Sequence, residues 1–346
     1  MARDAARGAG ADLTVGVGLL PRYDLAVFED TVRRIDSDPL FSTIWVPDER
    51  FFRDLGVSLT IAAANSERVR LGSAVTDAFV RHPALTATLF ASLDEYAGGR
   101  MVIGIGAGVA GLPAMGIARP RPQTAIREAI HLMRAMWKGG RVDFDGATTS
   151  FHGELDFAAP REAIPIWVAG RGPRILELAG AVADGALVGG LVAPAGLAFA
   201  EERILAGAAS AGRGQGPTRA IWLHVGLDRD ERRARDAVRP IVATVIYLSP
   251  DILQTLGIEM DRALLQELLA IEYSLDNPRL REVGGRFSDE LLASFSTSGT
   301  PAQVAEGFRA LREAGIEHIA VFPSLGEGQT ITEFVELLAE ATAGAQ

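Results

Sequence analysis

The run Gly170-Arg171-Gly172-Pro173 pairs a cation with the makings of an anion site. Proline at the first position of a helix, preceded by glycines, exposes unpaired backbone N–H groups, and the adjacent guanidinium adds charge. That combination suits a phosphate or phosphodiester. A helix cap with a solvated arginine is the other reading. A second stretch, Gly104-Ile105-Gly106-Ala107-Gly108, approaches a dinucleotide fingerprint. No helix follows at the required offset, because Leu112-Pro113 continues the loop, so that reading fails. Residues without Cβ instead let the backbone come close to a flat ligand, unless the run is simply a glycine-rich turn. Further candidates are Asp48-Glu49-Arg50, Ser73-Ala74-Val75-Thr76-Asp77 with Arg81-His82-Pro83 after it, and Gly189-Gly190. His82, before a proline, is either a ligand contact or a helix-start packing residue. His131, His152, His224 and His318 are read as structural. No pair has metal-ligand spacing, and there is no Gly-x-Ser-x-Gly elbow or Walker sequence. The equipment for most hydrolytic chemistry is missing, and the chain looks built to hold a reactive cofactor.

Positioning these residues falls to short apolar runs that alternate with helical stretches. Strands are expected at 13–20, 43–46, 69–76, 101–105, 166–169, 186–188, 220–227 and 318–322, with helices between them. Near-continuous apolar strands are the mark of a parallel sheet covered by helices. The economical reading is an α/β fold, a (β/α)8 TIM barrel, with a doubly wound open sheet as the alternative. Two insertions interrupt the rhythm: β-hairpin material at about 141–159 and a helix-rich excursion at about 250–295. The barrel is expected to be one domain over 13–346, after a disordered tail at 1–12. Each candidate above then falls at a strand end, where such barrels place their active sites.

Composition narrows the function. The chain has 346 residues, of which 48% are hydrophobic and 23% charged, enough for a large core. Cysteine is absent, which excludes disulfides, thiolate metal sites and cysteine nucleophiles. No apolar run reaches about 18 residues and the N-terminus lacks an apolar signal core, so a cytoplasmic protein is expected. The net charge of −10 argues against nucleic acid as a partner.

Several segments, in the same order, resemble the bacterial luciferase-like superfamily: Trp45-Val46-Pro47-Asp48-Glu49-Arg50-Phe51-Phe52, Arg70–Thr76, Arg81-His82-Pro83-Ala84, and Gly98-Gly99-Arg100 leading into Gly104–Gly108. The nearest branch resembles the coenzyme F420-dependent reductases typified by methylenetetrahydromethanopterin reductase. The resemblance implies a deazaflavin over the ends of strands 2 to 4, with Asp48 at the ring. It implies a non-prolyl cis peptide at Ser73–Ala74 behind the ring, with Thr76 and His82 nearby. It implies backbone contacts from Gly106, Ala107 and Gly108, and a phosphate-bearing tail held by Ala169, Gly170, Arg171, Gly172, Gly189 and Gly190. Relatives often carry histidine where this chain has Glu49, and some carry an acid where it has Val109. Glu49 is the remaining candidate for general acid or base, with a salt bridge to Arg50 or Arg53 as the alternative.

The implied function is F420-dependent hydride transfer with a small organic substrate. A reduced-FMN-dependent monooxygenase with a partner reductase is the rival, and a non-catalytic cofactor-binding protein the third reading. The resemblance also implies a homodimer. The small-residue stretches Ile61–Ala64 and Ala84–Ala87 would pack either against a symmetry mate or against the barrel itself.

Overall fold

The computed structural model describes residues 13–49, 51–108, 111–272 and 277–346. The chain runs through β1 (Thr14–Gly18), α1 (Leu25–Ser37), β2 (Phe41–Val46), α2 (Leu55–Ala64), β3 (Arg70–Ser73), β4 (Thr76–Asp77), α3 (Pro83–Tyr96), β5 (Met101–Gly106) and α4 (Pro122–Trp137). A hairpin of β6 (Val142–Asp145) and β7 (Ser150–Gly153) precedes β8 (Ile166–Gly170), α5 (Pro173–Val182), β9 (Gly185–Gly189), α6 (Pro194–Ser210), β10 (Thr218–Leu227) and α7 (Glu231–Leu248). Four short helices follow: α8 (Asp251–Thr255), α9 (Arg262–Leu269), α10 (Pro278–Gly284) and α11 (Asp289–Phe295). The chain ends in β11 (Ser296–Gly299), α12 (Pro301–Glu313), β12 (His318–Ser324) and α13 (Ile331–Ala345). The fold is a (β/α)8 barrel of parallel strands, with both expected insertions in place. The expected tail at 1–12 lies outside the described residues.

The residues form two compact units: Gly16–Leu187 with Arg203–Thr218, and Met1–Val15 (described from Leu13) with Val188–Glu202 and Arg219–Gln346. In the first unit β2 pairs β3 from Thr43↔Arg70 to Val46↔Ser73, and β5 pairs β8 from Ile103↔Ile166 to Ile105↔Val168. The apolar strand residues are almost wholly buried, as a sheet covered on both faces requires. Helix α1 shows how its cover is specified: Phe28, Val32 and Ile35 recur at helical spacing and are all buried. Trp45 and Trp167 fill the space between strands with ring centroids 5.3 Å apart.

The stretch expected as one strand, 69–76, is broken. A cis peptide falls at Ala74–Val75, one residue later than the resemblance placed it. The register gives the reason. Ser73 still pairs with Val46, and the Ala74 N–H donates to the Val46 carbonyl at 2.8 Å, so the chain leaves the ladder only after Ala74. It rejoins as β4, where Thr76 pairs with Ile105 and Asp77 with Gly106 of β5.

Gly104 faces this break. A Cβ there would lie well inside contact distance of the Ser73 carbonyl oxygen, and one at Gly106 would come within 2.8 Å of a Val75 methyl. The sequence suggested a flat ligand as the reason for these glycines. At Gly104 and Gly106 the close neighbour is the chain's own backbone and side chain.

Of the two small-residue stretches, Ala62, Ala63, Ala84 and Ala87 are buried within the chain, whereas Ala64 is exposed. The large apolar side chains that α2 and α3 leave outward are Val57, Leu85 and Tyr96, 54%, 61% and 62% exposed.

In the second unit β10 pairs β12 from Ala220↔His318 to Gly226↔Ser324, and pairs β11 on from His224↔Ser296. Trp222 stacks on Phe322 with ring centroids 4.3 Å apart. No helix among the described residues is long and apolar enough to cross a membrane.

Candidate active site

The ends of β2, β4 and β5 bring one polar constellation together in the first unit. Asp48, two residues beyond β2, accepts a 2.7 Å hydrogen bond at Oδ2 from the Thr76 hydroxyl. The Arg81 guanidinium reaches the same oxygen at 3.5 Å and Asp54 Oδ2 at 3.3 Å. Burial is the main influence on the Asp48 carboxyl and pushes its pKa up. Thr76 and Arg81 oppose the shift, while the charges of Asp77 and Asp54 reinforce it. Thr76 itself is buried, so its hydroxyl is committed to this carboxylate.

Asp77 shapes the next loop by accepting from the Phe79 and Val80 amides at 2.6 and 2.8 Å. Gly108, with φ +58°, lies against it: a Cβ there would meet Asp77 Oδ2 at 3.0 Å. The Gly108 carbonyl accepts from Arg119 at 2.5 Å. Ala107 and Gly108 are half-buried at this mouth.

Other expected site residues take more structural positions. The Ser73 hydroxyl donates to the Gly104 carbonyl at 2.8 Å and accepts from the Gly104 amide at 3.1 Å, deep in the sheet. Ala74 is also buried. His82 caps α3, its Nδ1 accepting from the Ala84 amide at 3.2 Å. With Nδ1 accepting, Nε2 carries the proton and donates to the Ser150 carbonyl at 3.1 Å, with the Thr149 hydroxyl 2.9 Å away. The helix-start reading of His82 therefore gains a second half, a tether to the hairpin. Glu49 is half-buried. Its expected partner Arg53 donates instead to the Pro21 and Tyr23 carbonyls, at 3.2 and 2.5 Å. Arg50 and Val109 lie outside the described residues.

The tethered turn is also held from α4. Glu128 accepts from the Ala147 amide at 2.7 Å, the Thr148 amide at 2.8 Å and the Thr148 hydroxyl at 2.5 Å. Burial works against its charge, but these bonds prevail and hold the carboxyl below its ordinary pKa. The turn's stabilisation is thus full above the ordinary carboxylate range and fades as pH falls through the lowered folded-state pKa. Glu128→Gln should cost about 1 kcal/mol locally. Faster amide exchange at residues 147–149, with the rest of the barrel unchanged, is the expected result.

Gly170-Arg171-Gly172-Pro173 crosses from β8 into α5. Helix α5 has Pro173 in its first turn and no side-chain cap at Gly172, where an added Cβ would meet nothing within 4 Å. Burial lowers the Arg171 pKa to about 10, which still leaves it cationic near neutral pH. Ala169 is buried and Gly170 half-buried. In the second unit Gly189 is buried, and Gly190 has φ +64° with its N–H donating to the Trp222 carbonyl at 2.8 Å.

Sequence reasoning named Arg81 only as a neighbour and passed over Asp54. The available signal was Arg81-His82-Pro83 at a helix start, with Asp48 and Asp54 flanking the preceding loop.

The class the fold defines is the parallel (β/α)8 barrel, here with a half-buried carboxylate at a strand end and Arg171 beside the uncapped start of α5. The family model described as luciferase-like monooxygenase matches residues 30–318, and the chain belongs to that family. It is 32% identical over 289 residues to 5,10-methylenetetrahydromethanopterin reductase of Methanolobus tindarius, covering 83% of this chain and 87% of the relative. An F420-dependent glucose-6-phosphate dehydrogenase of Kineococcus radiotolerans is 26% identical over 87% of this chain and 82% of its own length. The structure of the coenzyme F420-dependent tetrahydromethanopterin reductase of Methanopyrus kandleri superposes with a TM-score of 0.82 at 26% identity, covering 96% of this chain and 98% of that one.

Proposed function

We propose that this chain is a coenzyme F420-dependent oxidoreductase that exchanges hydride with a small organic substrate. The observation that carries the reading is the likeness, across more than four-fifths of the chain, to a reductase of the methylenetetrahydromethanopterin class. The residues present fit the cofactor. The uncapped start of α5 beside Arg171 matches a phosphodiester, and the open space at Gly172 leaves room for it.

When bound, the deazaflavin supplies the hydride chemistry. Asp48 orients the ring-side polar edge, fixed by the Thr76 hydroxyl. Ala107 and Gly108 offer backbone, and Ala169, Gly170, Arg171 and Gly172 hold the tail. Glu49 remains the candidate for moving a proton to or from the substrate, since its loop opens beside Asp48. Val57 and Leu85 suit a homodimer contact, and a cytoplasmic location belongs to the same reading.

Titration with F420 and with FMN in one buffer, followed by ligand fluorescence, tests the proposal. Tight F420 binding with weak FMN binding is expected, and selective FMN binding would favour a monooxygenase. Arg171→Gln should weaken F420 binding about tenfold, through loss of one charge-assisted contact, and flatten its salt dependence. Unchanged affinity in that variant would remove Arg171 from the site.

A further inference from the structure

We propose that Arg81 is a positioning residue, holding Asp48 in place and governing the ionisation of that carboxylate at the mouth of the barrel. The inference rests on the reading of Asp48 as a cofactor-side group, and it concerns a residue to which that reading gives no part.

The geometry is built from three sides. Arg81 sits directly before His82, whose ring caps α3 on one nitrogen and grips the hairpin turn with the other. The residue next to it is therefore tied both to a helix start and to the insertion. Its guanidinium forks between two carboxylates, Nη1 to Asp48 and Nη2 to Asp54. Asp54 is fixed in turn, because its Oδ1 caps α2 through the Val57 amide at 3.2 Å. Arginine suits this place because its planar fork spans two acceptors at once, where an ammonium would act as a point charge.

The charges give the fork a purpose beyond bracing. Among the described residues, Asp48 feels the carboxylates of Asp54 and Asp77, and Arg81 is the cation that opposes them. Loss of Arg81 would leave Asp48 facing those two carboxylates without the guanidinium that opposes them. Burial already favours its neutral form, and loss of the opposing cation would favour it further. Both the Thr76 and Arg81 contacts fall on Oδ2, so the same pair that restrains the charge also fixes the direction of the carboxylate.

The test separates positioning from mere bracing. Thermal stability would be followed against pH for the wild type and Asp48→Asn, and for Arg81→Gln with and without Asp48→Asn. The difference within each pair isolates the titration of Asp48, with no cofactor present. Its midpoint should move to higher pH in Arg81→Gln and return most of the way in Arg81→Lys. F420 affinity at neutral pH should fall about five- to tenfold in Arg81→Gln, a modest loss because the pair is partly solvated. Asp54→Asn keeps a capping oxygen and the cation, and should not raise the midpoint. An unmoved midpoint in Arg81→Gln would overturn the proposal and leave Arg81 a brace between loops. A moved midpoint in a protein that binds no F420 would uphold the coupling while sinking the cofactor reading.

Discussion

Asp48→Asn should weaken F420 binding about thirty- to a hundredfold, while the barrel stays folded and gains slightly in stability at neutral pH. The loss follows from removing a charged acceptor from a half-buried polar site, where breaking one partner of such a contact costs about 2 kcal/mol or more. The gain has the opposite origin. Burial raises the Asp48 carboxyl above its unfolded value, so its contribution to folding is full below the unfolded pKa and declines as pH rises through the folded one. Asparagine carries no charge to bury and is free of that decline. Solvent access to the side chain, 29% exposed, keeps the gain below about 1 kcal/mol. Fluorescence titration and melting curves at pH 5 and pH 8 would read both effects. A variant that binds F420 like the wild type would remove Asp48 from the cofactor site, and one that is less stable at pH 8 would make it a structural acid.

The largest expected effect on stability is at Gly104. Alanine there drives a methyl into the Ser73 carbonyl oxygen, and backbone cannot swing aside as a side-chain tip can. The two strands are also clasped at that level, since the Ser73 hydroxyl bonds both the amide and the carbonyl of Gly104. Separating them would strain that clasp and the neighbouring pairing of Gly72 with Val102. Overpacking of this kind costs about 3 kcal/mol, enough to lower the melting temperature of a chain this long by roughly 4 °C. A Gly104→Ala protein melting with the wild type would mean that the barrel wall has slack at this point.

Much of the architecture was legible because it is written locally. The apolar runs of β2, β5 and β10 announce themselves as strands covered on both faces, and Pro83, Pro122, Pro173 and Pro301 mark helix starts. The hairpin was visible from Asp145-Gly146 between Val142 and Phe151. What escaped depends on partners far along the chain. Nothing in Ser296-Thr297-Ser298-Gly299 reads as a strand; the pairing with His224–Leu227 makes it one. The break after Ala74 lies inside an apolar run, and only the registers with β2 and β5 locate it. The same limit held in the site. Asp48 stood out because its segment follows a strand and resembles a family, whereas the Arg81 fork needed Asp48 and Asp54 brought together by folding. His82 looked like a helix start and is one, but its second bond reaches Ser150, 68 positions away.

The way the insertion is fastened bears on how this protein can diverge. His82 and Glu128 hold the turn largely by its main chain: the amides of Ala147 and Thr148 and the carbonyl of Ser150. Main-chain groups are the same whatever side chains they carry. Mutations along β6 and β7 therefore leave the attachment intact, whereas a Cβ at Gly146 would strike the Glu128 carboxylate at 2.5 Å and the Thr149 carbonyl at 2.8 Å, so that position resists change. The hairpin is free to vary in composition while its mooring stays fixed, and descendants of this chain can acquire new surface there without renegotiating the barrel beneath.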